Sequence, residues 1–289
     1  MSDHLKGLIL TTLGVLFIVP DTLFVRVIYA EPMVTAFWRG LISGLVVLVG
    51  ILVFQGLSGF LAVRRTGWAG VIYILLLGST TPAFVMAVSH TSVANVVFIF
   101  ASTPIFATIF SRIYLGEPLR RRMVLTMIVV MFGLGVIAYG SRANEIASWE
   151  GDLWAVYVSV AYAAALTAVR RAKHISMIPA IPIAYIGTAL VLGTFTSPLQ
   201  GFEQQWPLFL GHGITIGVAS CLLTLGPRYI SSVEVSLLIL LESVLAPILV
   251  WAVVGENPGF LALVGGSVVI VALVVSNLIA LRSHKRNNV

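Results

Sequence analysis

Long apolar segments alternate with short polar joints along almost the whole chain. A helix needs about 20 mostly apolar residues to cross the hydrocarbon core of a bilayer, and each segment is close to that length. The runs are continuous and lack the alternation of apolar and polar residues that is typical of barrel strands. We therefore predict ten membrane-spanning helices, over residues 6–28, 33–54, 67–88, 93–114, 122–140, 151–170, 177–197, 206–226, 233–254 and 258–281.

The joints and the composition agree with this interpretation. The joints contain charged residues, glycine or proline, as in Ala30-Glu31-Pro32 and Arg64-Arg65-Thr66-Gly67. Hydrophobic residues make up 59% of the 289 residues and charged residues only 10%, whereas a soluble domain is about 25% charged. The pattern predicts an all-α polytopic membrane protein without a soluble domain. The first segment follows the amino terminus directly, and we expect it to be retained as a span.

The basic residues predict how the helices are oriented. With the amino terminus in the cytoplasm, 14 of the 17 Lys and Arg residues fall on the cytoplasmic side. The three on the far side are Arg26, Arg39 and Arg142. Because cytoplasmic loops are enriched in Lys and Arg, this bias places both termini in the cytoplasm. The net charge of +6 is thus explained by orientation in a lipid bilayer, and we expect no nucleic-acid partner.

One stretch of sequence occurs twice. Residues 91–118 and 230–258 are both apolar runs that end in Gly-Glu followed by Pro, and Gly116 and Gly255 are 139 positions apart. The two copies fall in spans 4 and 9, and an odd offset reverses their direction. Residues 1–145 and 146–289 are therefore predicted to be two inverted five-helix repeats within one membrane domain. Inverted repeats are typical of transporters that work by alternating access, and a duplicated bundle that only packs well is the alternative.

Several motifs resemble one transporter family. These motifs are Phe37-Trp38-Arg39-Gly40, Ala87 to Ala94 with Pro104 and Gly116-Glu117, Gly151 to Ala155 with Tyr162 and Arg170-Arg171, and Ser231-Ser232-Val233 with Leu241-Glu242 and Gly255-Glu256. In their order and spacing they resemble the ten-span EamA-type branch of the drug/metabolite transporter superfamily, and the resemblance covers essentially the whole chain.

The resemblance also implies a function. The run Leu241 to Pro247 is most similar to the amino-acid exporters of that superfamily, in particular those for aromatic amino acids. It implies a substrate cavity lined mainly by spans 1, 3, 4, 6, 8 and 9. The sequence departs from the family pattern at Ser243, where proline is usual, and at Pro20-Asp21, where many members have Trp-Gly.

Two carboxylates are candidate ligands inside the spans. Glu242 lies about 13 Å into span 9 at 1.5 Å per residue, which is near the middle of the bilayer. An acid at that depth is expected to face a cavity or a partner, so it could attract a substrate ammonium or carry a coupling proton. The alternative is a structural glutamate that joins helices. Asp21 follows Pro20 in span 1, where it would either form part of a ligand site at a broken helix or pair with Arg26 or Arg39.

Other polar candidates lie near turns and prolines. His90 and Asn95 flank the joint between spans 3 and 4, where they would contact substrate or only satisfy the turn. Thr81 and Ser102 precede Pro82 and Pro104, and hydroxyls there can bond the carbonyls that a proline leaves free. These segments are candidate hinges or cavity walls, with static kinks as the alternative. The predicted hinge residues are Pro20, Pro82, Pro104 and Pro247.

Aromatic residues and glycines complete the candidate set. Tyr162, Phe98 and Trp154 could form an apolar wall that stacks on a ring-bearing substrate, although Trp154 also sits where membrane-interface aromatics are common. The small-residue runs Gly40-x-x-x-Gly44 and Gly213-x-x-x-Gly217 predict close helix packing. We expect Glu117 and Glu256 to have structural or gating roles.

The remaining patterns exclude several activities. The chain contains no phosphate-binding Gly-x-x-x-x-Gly-Lys-Ser/Thr motif, one cysteine and no metal-ligand spacing of histidines, so we expect no enzyme activity, cofactor or metal. We predict a monomeric secondary transporter of the inner membrane that exports amino acids or related small metabolites, with protons as a possible coupling ion. The alternatives are efflux of cationic or lipophilic drugs, and a membrane enzyme or lipid-handling protein.

Overall fold

The computed structural model of the protein describes residues 3–91, 96, 99–100, 102–118, 121–140, 148–255 and 260–286. These residues form helices and contain no strand. In chain order the helices are α1 Asp3–Ile18, α2 Pro20–Val27, α3 Pro32–Phe54, α4 Ser58–Arg64, α5 Trp68–His90, α6 Thr103–Phe110, the π-helical turn Ser111–Leu115, α7 Arg121–Gly140, α8 Trp149–Arg171, α9 Ala180–Gly193, α10 Phe202–Tyr229, α11 Ser232–Ile239, α12 Glu242–Val254 and α13 Phe260–Arg286.

Many of these helices have the length and composition of membrane spans. Within the described ranges, six helical segments are long and apolar enough to cross a bilayer, and two shorter apolar helices accompany them. The six are Asp3–Val27, Pro32–Phe54, Trp68–His90, Trp149–Arg171, Phe202–Tyr229 and Ser232–Val253, and the shorter two are Ala180–Gly193 and Leu263–Ser276. The all-helical membrane fold is therefore confirmed. The crossing of the bilayer by all ten predicted segments, and the cytoplasmic position of both termini, stay predictions.

Two of the predicted spans are interrupted near their middles. In the first span, α1 ends at Ile18 and α2 begins at Pro20, because proline has no N–H to bond to the preceding turn. In the ninth, Leu240 and Leu241 separate α11 from α12 and donate to Leu237 and Leu238 in tighter three-residue turns. The first residue of α12 is Glu242, so the break brings this side chain to the middle of the fold.

The repeated Gly-Glu joints have a common geometry. Gly116 ends the π-helical turn with φ 66° and Gly255 ends α12 with φ 81°, both in the left-handed region. A residue at this position of a helix end needs positive φ, which glycine adopts without steric cost. The duplication seen in the sequence therefore preserves the signal that stops the helix.

The two predicted halves are interleaved. The most extensive helix contacts join α5 to α8, α7 to α13, α1 to α10, and α3 to both α9 and α10. Each of these pairs joins a helix before residue 145 to one after it. Each apolar core cluster formed by the described residues likewise combines side chains from both halves.

Glycines allow the closest of these contacts. A Cβ added at Gly217 would lie 3.1 Å from the Ser43 carbonyl oxygen, and one at Gly44 would lie 2.6 Å from Ile186 Cγ1. The close packing predicted from the two small-residue runs is thus confirmed. These contacts set α3 directly against α9 and α10 on one side of the central cavity.

Candidate functional site

A central cavity lies between the helices of the two halves. The space between the protein atoms there, with the part that is open to solvent included, is about 960 Å³. The cavity is lined from α1, α2, α3, α5, α6, α8, α9, α10, α11 and α12. All six spans named by the family resemblance contribute to it, and spans 2 and 7 contribute as well through Arg39 and Tyr185.

A buried ion pair forms one part of the wall. Arg39 donates from Nε to Asp21 Oδ1 at 3.0 Å and from Nη2 to Asp21 Oδ2 at 2.6 Å. Asp21 is only 1% exposed and Arg39 6%. This forked geometry matches the guanidinium to both carboxylate oxygens. Asp21 was predicted either to form part of a ligand site or to pair with Arg26 or Arg39. It pairs with Arg39, and its side chain also lines the cavity.

Arg39 therefore occupies a different environment from the one expected. The predicted orientation places Arg39 among the basic residues of the far membrane side. Its side chain is instead buried inside the helix bundle, where it pairs with Asp21. A buried and paired arginine is not a loop charge, so it does not belong in a comparison of basic residues on the two sides.

A histidine from the second half completes this cluster. His212, on α10, is fully buried, and its Nε2 lies 2.5 Å from Asp21 Oδ1. An ionised carboxylate only accepts hydrogen bonds, so Nε2 is the donor. The ring stacks on Phe24 at 5.2 Å, and the Arg39 guanidinium lies 5.4 Å from the centre of the Phe84 ring. Asp21, Arg39 and His212 are called the buried triad below.

Glu242 faces the same cavity. It is 8% exposed, and in the described part of the chain no group donates a hydrogen bond to its carboxylate. The carboxylate interacts electrostatically with Asp21 and Arg39. Tyr162 also lines the cavity, and the described residues offer no hydrogen-bond partner to its hydroxyl. Glu242 and Tyr162 thus present an acceptor and a donor to a bound molecule.

The other lining hydroxyls are mostly paired with one another. Tyr73 bonds to Thr224 at 2.7 Å, Tyr185 to Ser220 at 2.7 Å and Thr103 to Ser159 at 2.8 Å. Buried polar groups are costly unless they are hydrogen-bonded. These pairs leave the wall polar but satisfied, which distinguishes it from the unpaired groups at Glu242 and Tyr162.

Two further predicted residues lie directly behind the wall. Thr81 accepts a hydrogen bond from Arg39 Nη1 at 3.4 Å, and Ser102 lies 3.0 Å from the hydroxyl of Ser159. Neither lines the cavity itself, whereas their neighbours Thr80 and Thr103 do.

The remaining predicted residues lie elsewhere or outside the described ranges. His90 Nδ1 bonds to the Met86 carbonyl at 2.9 Å at the end of α5, and Trp154 packs edge-on against Tyr157 with 39% of its surface exposed. Both lie away from the cavity wall. Asn95 and Phe98 are not among the described residues.

The predicted hinge prolines occupy two kinds of position. Pro20 and Pro104 each lie in the first turn of a helix, where a missing N–H costs nothing. Pro82 and Pro247 lie inside α5 and α12, which continue through them. Their role as hinges stays a prediction.

Sequence reasoning missed two residues that the fold makes important. His212 was not singled out beyond the lack of metal-ligand spacing among the histidines, although an ionisable residue within an apolar span is itself a signal of function. Glu234 was overlooked, although Ser231 and Glu234 have the spacing of a capping box. Ser231 and Glu234 do cap α11 in this way.

Glu234 also belongs to an ionic network at one end of the molecule. Its Oε1 accepts from Arg122 Nη2 at 2.6 Å and lies 3.2 Å from His4 Nε2, so it joins α11 to α7 and α1. Nearby, Glu117 accepts from Arg170 Nε at 2.8 Å. Each of these three pairs joins the first half to the second. This is the end that the basic residues place in the cytoplasm.

Known proteins support the fold that surrounds this cavity. A solved crystal structure described only as that of a protein matches 96% of this chain and 99% of its own, with a TM-score of 0.80 and 18% identity. At that identity the likeness establishes the fold alone. No curated protein matches the chain.

The sequence also matches a family model twice. The model of the EamA-like transporter family matches residues 5–139 and again residues 149–278. Together the two matches cover most of the chain and correspond to two successive repeats. The protein therefore belongs to the EamA-like transporter family, whose members are membrane transporters of the drug/metabolite type.

Proposed function

We propose that this transporter is a secondary carrier that exports amino acids and related amine-bearing metabolites across the inner membrane by alternating access. The observation that carries the proposal is Glu242, a carboxyl group that lines the cavity and receives no hydrogen bond from the described residues. A carboxylate in a low-dielectric site attracts an ammonium strongly, because little water is present to screen it.

The rest of the cavity suits the remainder of an amino acid. The Tyr162 hydroxyl is available to donate a hydrogen bond to a substrate carboxylate. Phe84 and Phe100 lie 5.8 Å apart between ring centres and give the wall an aromatic surface. Such rings stack on an apolar or aromatic side chain. The outward direction and the preference for aromatic amino acids follow from the family resemblance.

Alternating access follows from the inverted repeats. Two similar halves of opposite orientation permit two arrangements of comparable free energy, one open to each side. Transport would be driven by the substrate gradient or coupled to protons, with Glu242 as the residue that binds the proton.

The proposal is tested by flux into proteoliposomes. Purified protein is reconstituted, the vesicles are loaded with unlabelled amino acid, and uptake of the labelled amino acid by counterflow is measured for a panel of aromatic and aliphatic amino acids. Counterflow above that of empty vesicles for at least one amino acid is expected. Absence of counterflow across the whole panel contradicts the proposal.

The same negative charge favours a second candidate, efflux of cationic drugs. An organic cation with an aromatic body fits an anionic, ring-lined cavity as well as an amino acid does. Competition separates the two functions. If drug cations block counterflow and are themselves transported while amino acids are not, the second candidate replaces the first.

A further inference from the structure

The charges that face the cavity are unequal in number. Of the lining residues that the structure describes, Asp21 and Glu242 are acids and Arg39 is a base. With both acids ionised the cavity has one excess negative charge. Whether a substrate meets this negative charge or the positive charge of Arg39 depends on how firmly Arg39 is engaged.

Arg39 contacts Asp21, Thr81 and Phe84. Its Nε and Nη2 atoms donate to the two oxygens of Asp21 and its Nη1 to Thr81. One face of the guanidinium lies over Phe84. The guanidinium has two forked edges for a carboxylate, and Asp21 occupies the Nε–Nη2 edge, whereas Nη1 of the other edge bonds to Thr81. A substrate carboxylate would have to displace Asp21, bonded at 2.6 Å, from the first edge, or compete with Thr81 at the second for an Nη2 that Asp21 already shares.

Asp21 is itself held in place from the second half. His212 donates to Asp21 Oδ1, is fully buried, and is covered by Phe24. Because Asp21 follows the proline that begins α2, its backbone position is also constrained. The carboxylate therefore cannot swing away from Arg39 without breaking a second hydrogen bond and leaving His212 buried and unpaired.

We propose that Asp21 is a specificity-determining residue: by occupying Arg39 it suppresses a carboxylate-binding site and directs the cavity toward ammonium groups. The inference rests on the proposed function in that this cavity is taken as the substrate site. The inference predicts an order of affinity among molecules of similar size. Amines and zwitterions bind more tightly than simple carboxylates.

The test is direct binding to purified protein, which does not require flux. Three molecules with the same phenyl ring serve as probes: phenethylamine, phenylalanine and 3-phenylpropionate. The parent protein is expected to bind the first two and to bind 3-phenylpropionate at least about tenfold more weakly. In Asp21→Asn, Arg39 loses its charged partner and keeps at most one amide acceptor, so 3-phenylpropionate binding should strengthen about tenfold or more and phenethylamine binding should weaken.

A second variant keeps the test decisive if Asp21→Asn fails to fold. Replacement of a buried ion pair by neutral residues is often tolerated, whereas removal of one partner is costly. The double variant Asp21→Asn/Arg39→Gln removes both charges and leaves Glu242, so it should keep the parent's order of preference. If its preference for phenethylamine over 3-phenylpropionate changes by about tenfold, Arg39 already serves substrate in the parent and the proposal is wrong.

The outcomes separate the inference from the proposed function. Glu150→Gln, an acid-to-amide change at an exposed position of α8, should leave all three affinities unchanged. An Asp21→Asn protein that binds the three probes with the parent's relative affinities overturns the inference alone. A parent that binds none of the three contradicts both, and a parent that prefers 3-phenylpropionate contradicts the assigned charge selectivity.

Discussion

Thr103 and Glu242 occupy equivalent positions in the two repeats, each as the first residue of a helix that contributes to the cavity wall. They are 139 positions apart in the sequence, and so are Gly116 and Gly255. Thr103 is hydrogen-bonded to Ser159, whereas Glu242 has no partner among the described residues. The repeats thus share a backbone arrangement but differ in charge at this position, where the second repeat has an acid and the first has a threonine.

Glu242→Gln should lower transport of amine-bearing substrates by about tenfold or more, because the amide keeps the shape but loses the charge that attracts the ammonium. If Glu242 also binds the coupling proton, the remaining transport should no longer depend on pH. The charged groups near it, Asp21 and Arg39, remain in place in this variant. Initial counterflow rates across a pH series measure both effects, with Glu150→Gln as the control. Parent-like rates with a parent-like pH profile would exclude both roles.

Tyr162→Phe should weaken binding of amino acids but leave binding of simple amines nearly unchanged. The variant removes a hydroxyl that is available to a substrate carboxylate and keeps the aromatic surface. A loss of about fivefold to tenfold is expected for phenylalanine, and little change for phenethylamine. Tyr157→Phe is the matched control, since the Tyr157 hydroxyl bonds to Ser79 at an exposed position. Equal losses for both ligands would argue against contact with the carboxylate.

Arg122→Gln should lower the thermal stability of the protein by weakening the ionic network around Glu234. It removes the bonds from Arg122 to Glu234 and to the Ser276 carbonyl, and so separates α7 from α11 and α13. Loss of hydrogen bonds to a partly buried charged group costs about 1–3 kcal/mol. The apparent melting temperature in detergent should fall by several degrees, whereas Arg121→Gln, the exposed neighbour, should leave it unchanged. Equal melting temperatures for both variants would mean that this network does not hold the halves together.

Gly213→Ala should destabilise the protein where α10 crosses α3. A Cβ at this position would collide with the Ile42 side chain and would lie 3.1 Å from the Ser43 backbone nitrogen. Overpacking of this kind costs about 1–3 kcal/mol. Gly187→Ala is the control, because no atom lies within 4 Å of the added Cβ, and it should be neutral or stabilising. Thermal unfolding of the two purified variants decides the prediction.

The sequence predicted the all-helical membrane fold, because a membrane span requires a continuous apolar run that is visible locally. It did not predict the break at Leu240 and Leu241, which contains neither glycine nor proline. The sequence also did not predict the buried triad, because His212 and Asp21 are 191 residues apart and come into contact only when α10 packs beside α2. Glu242 could be singled out because an acid near the centre of a span is conspicuous on its own.

The mixed core clusters have a consequence for how the chain is made. Every apolar cluster described here needs side chains from before residue 145 and from after it. While the second half is still being synthesised, the first-half side chains of these clusters lack the partners that they pack against in the complete fold. The clusters can be completed only after the helices of the second half have been made, so each repeat depends on the other for its apolar packing.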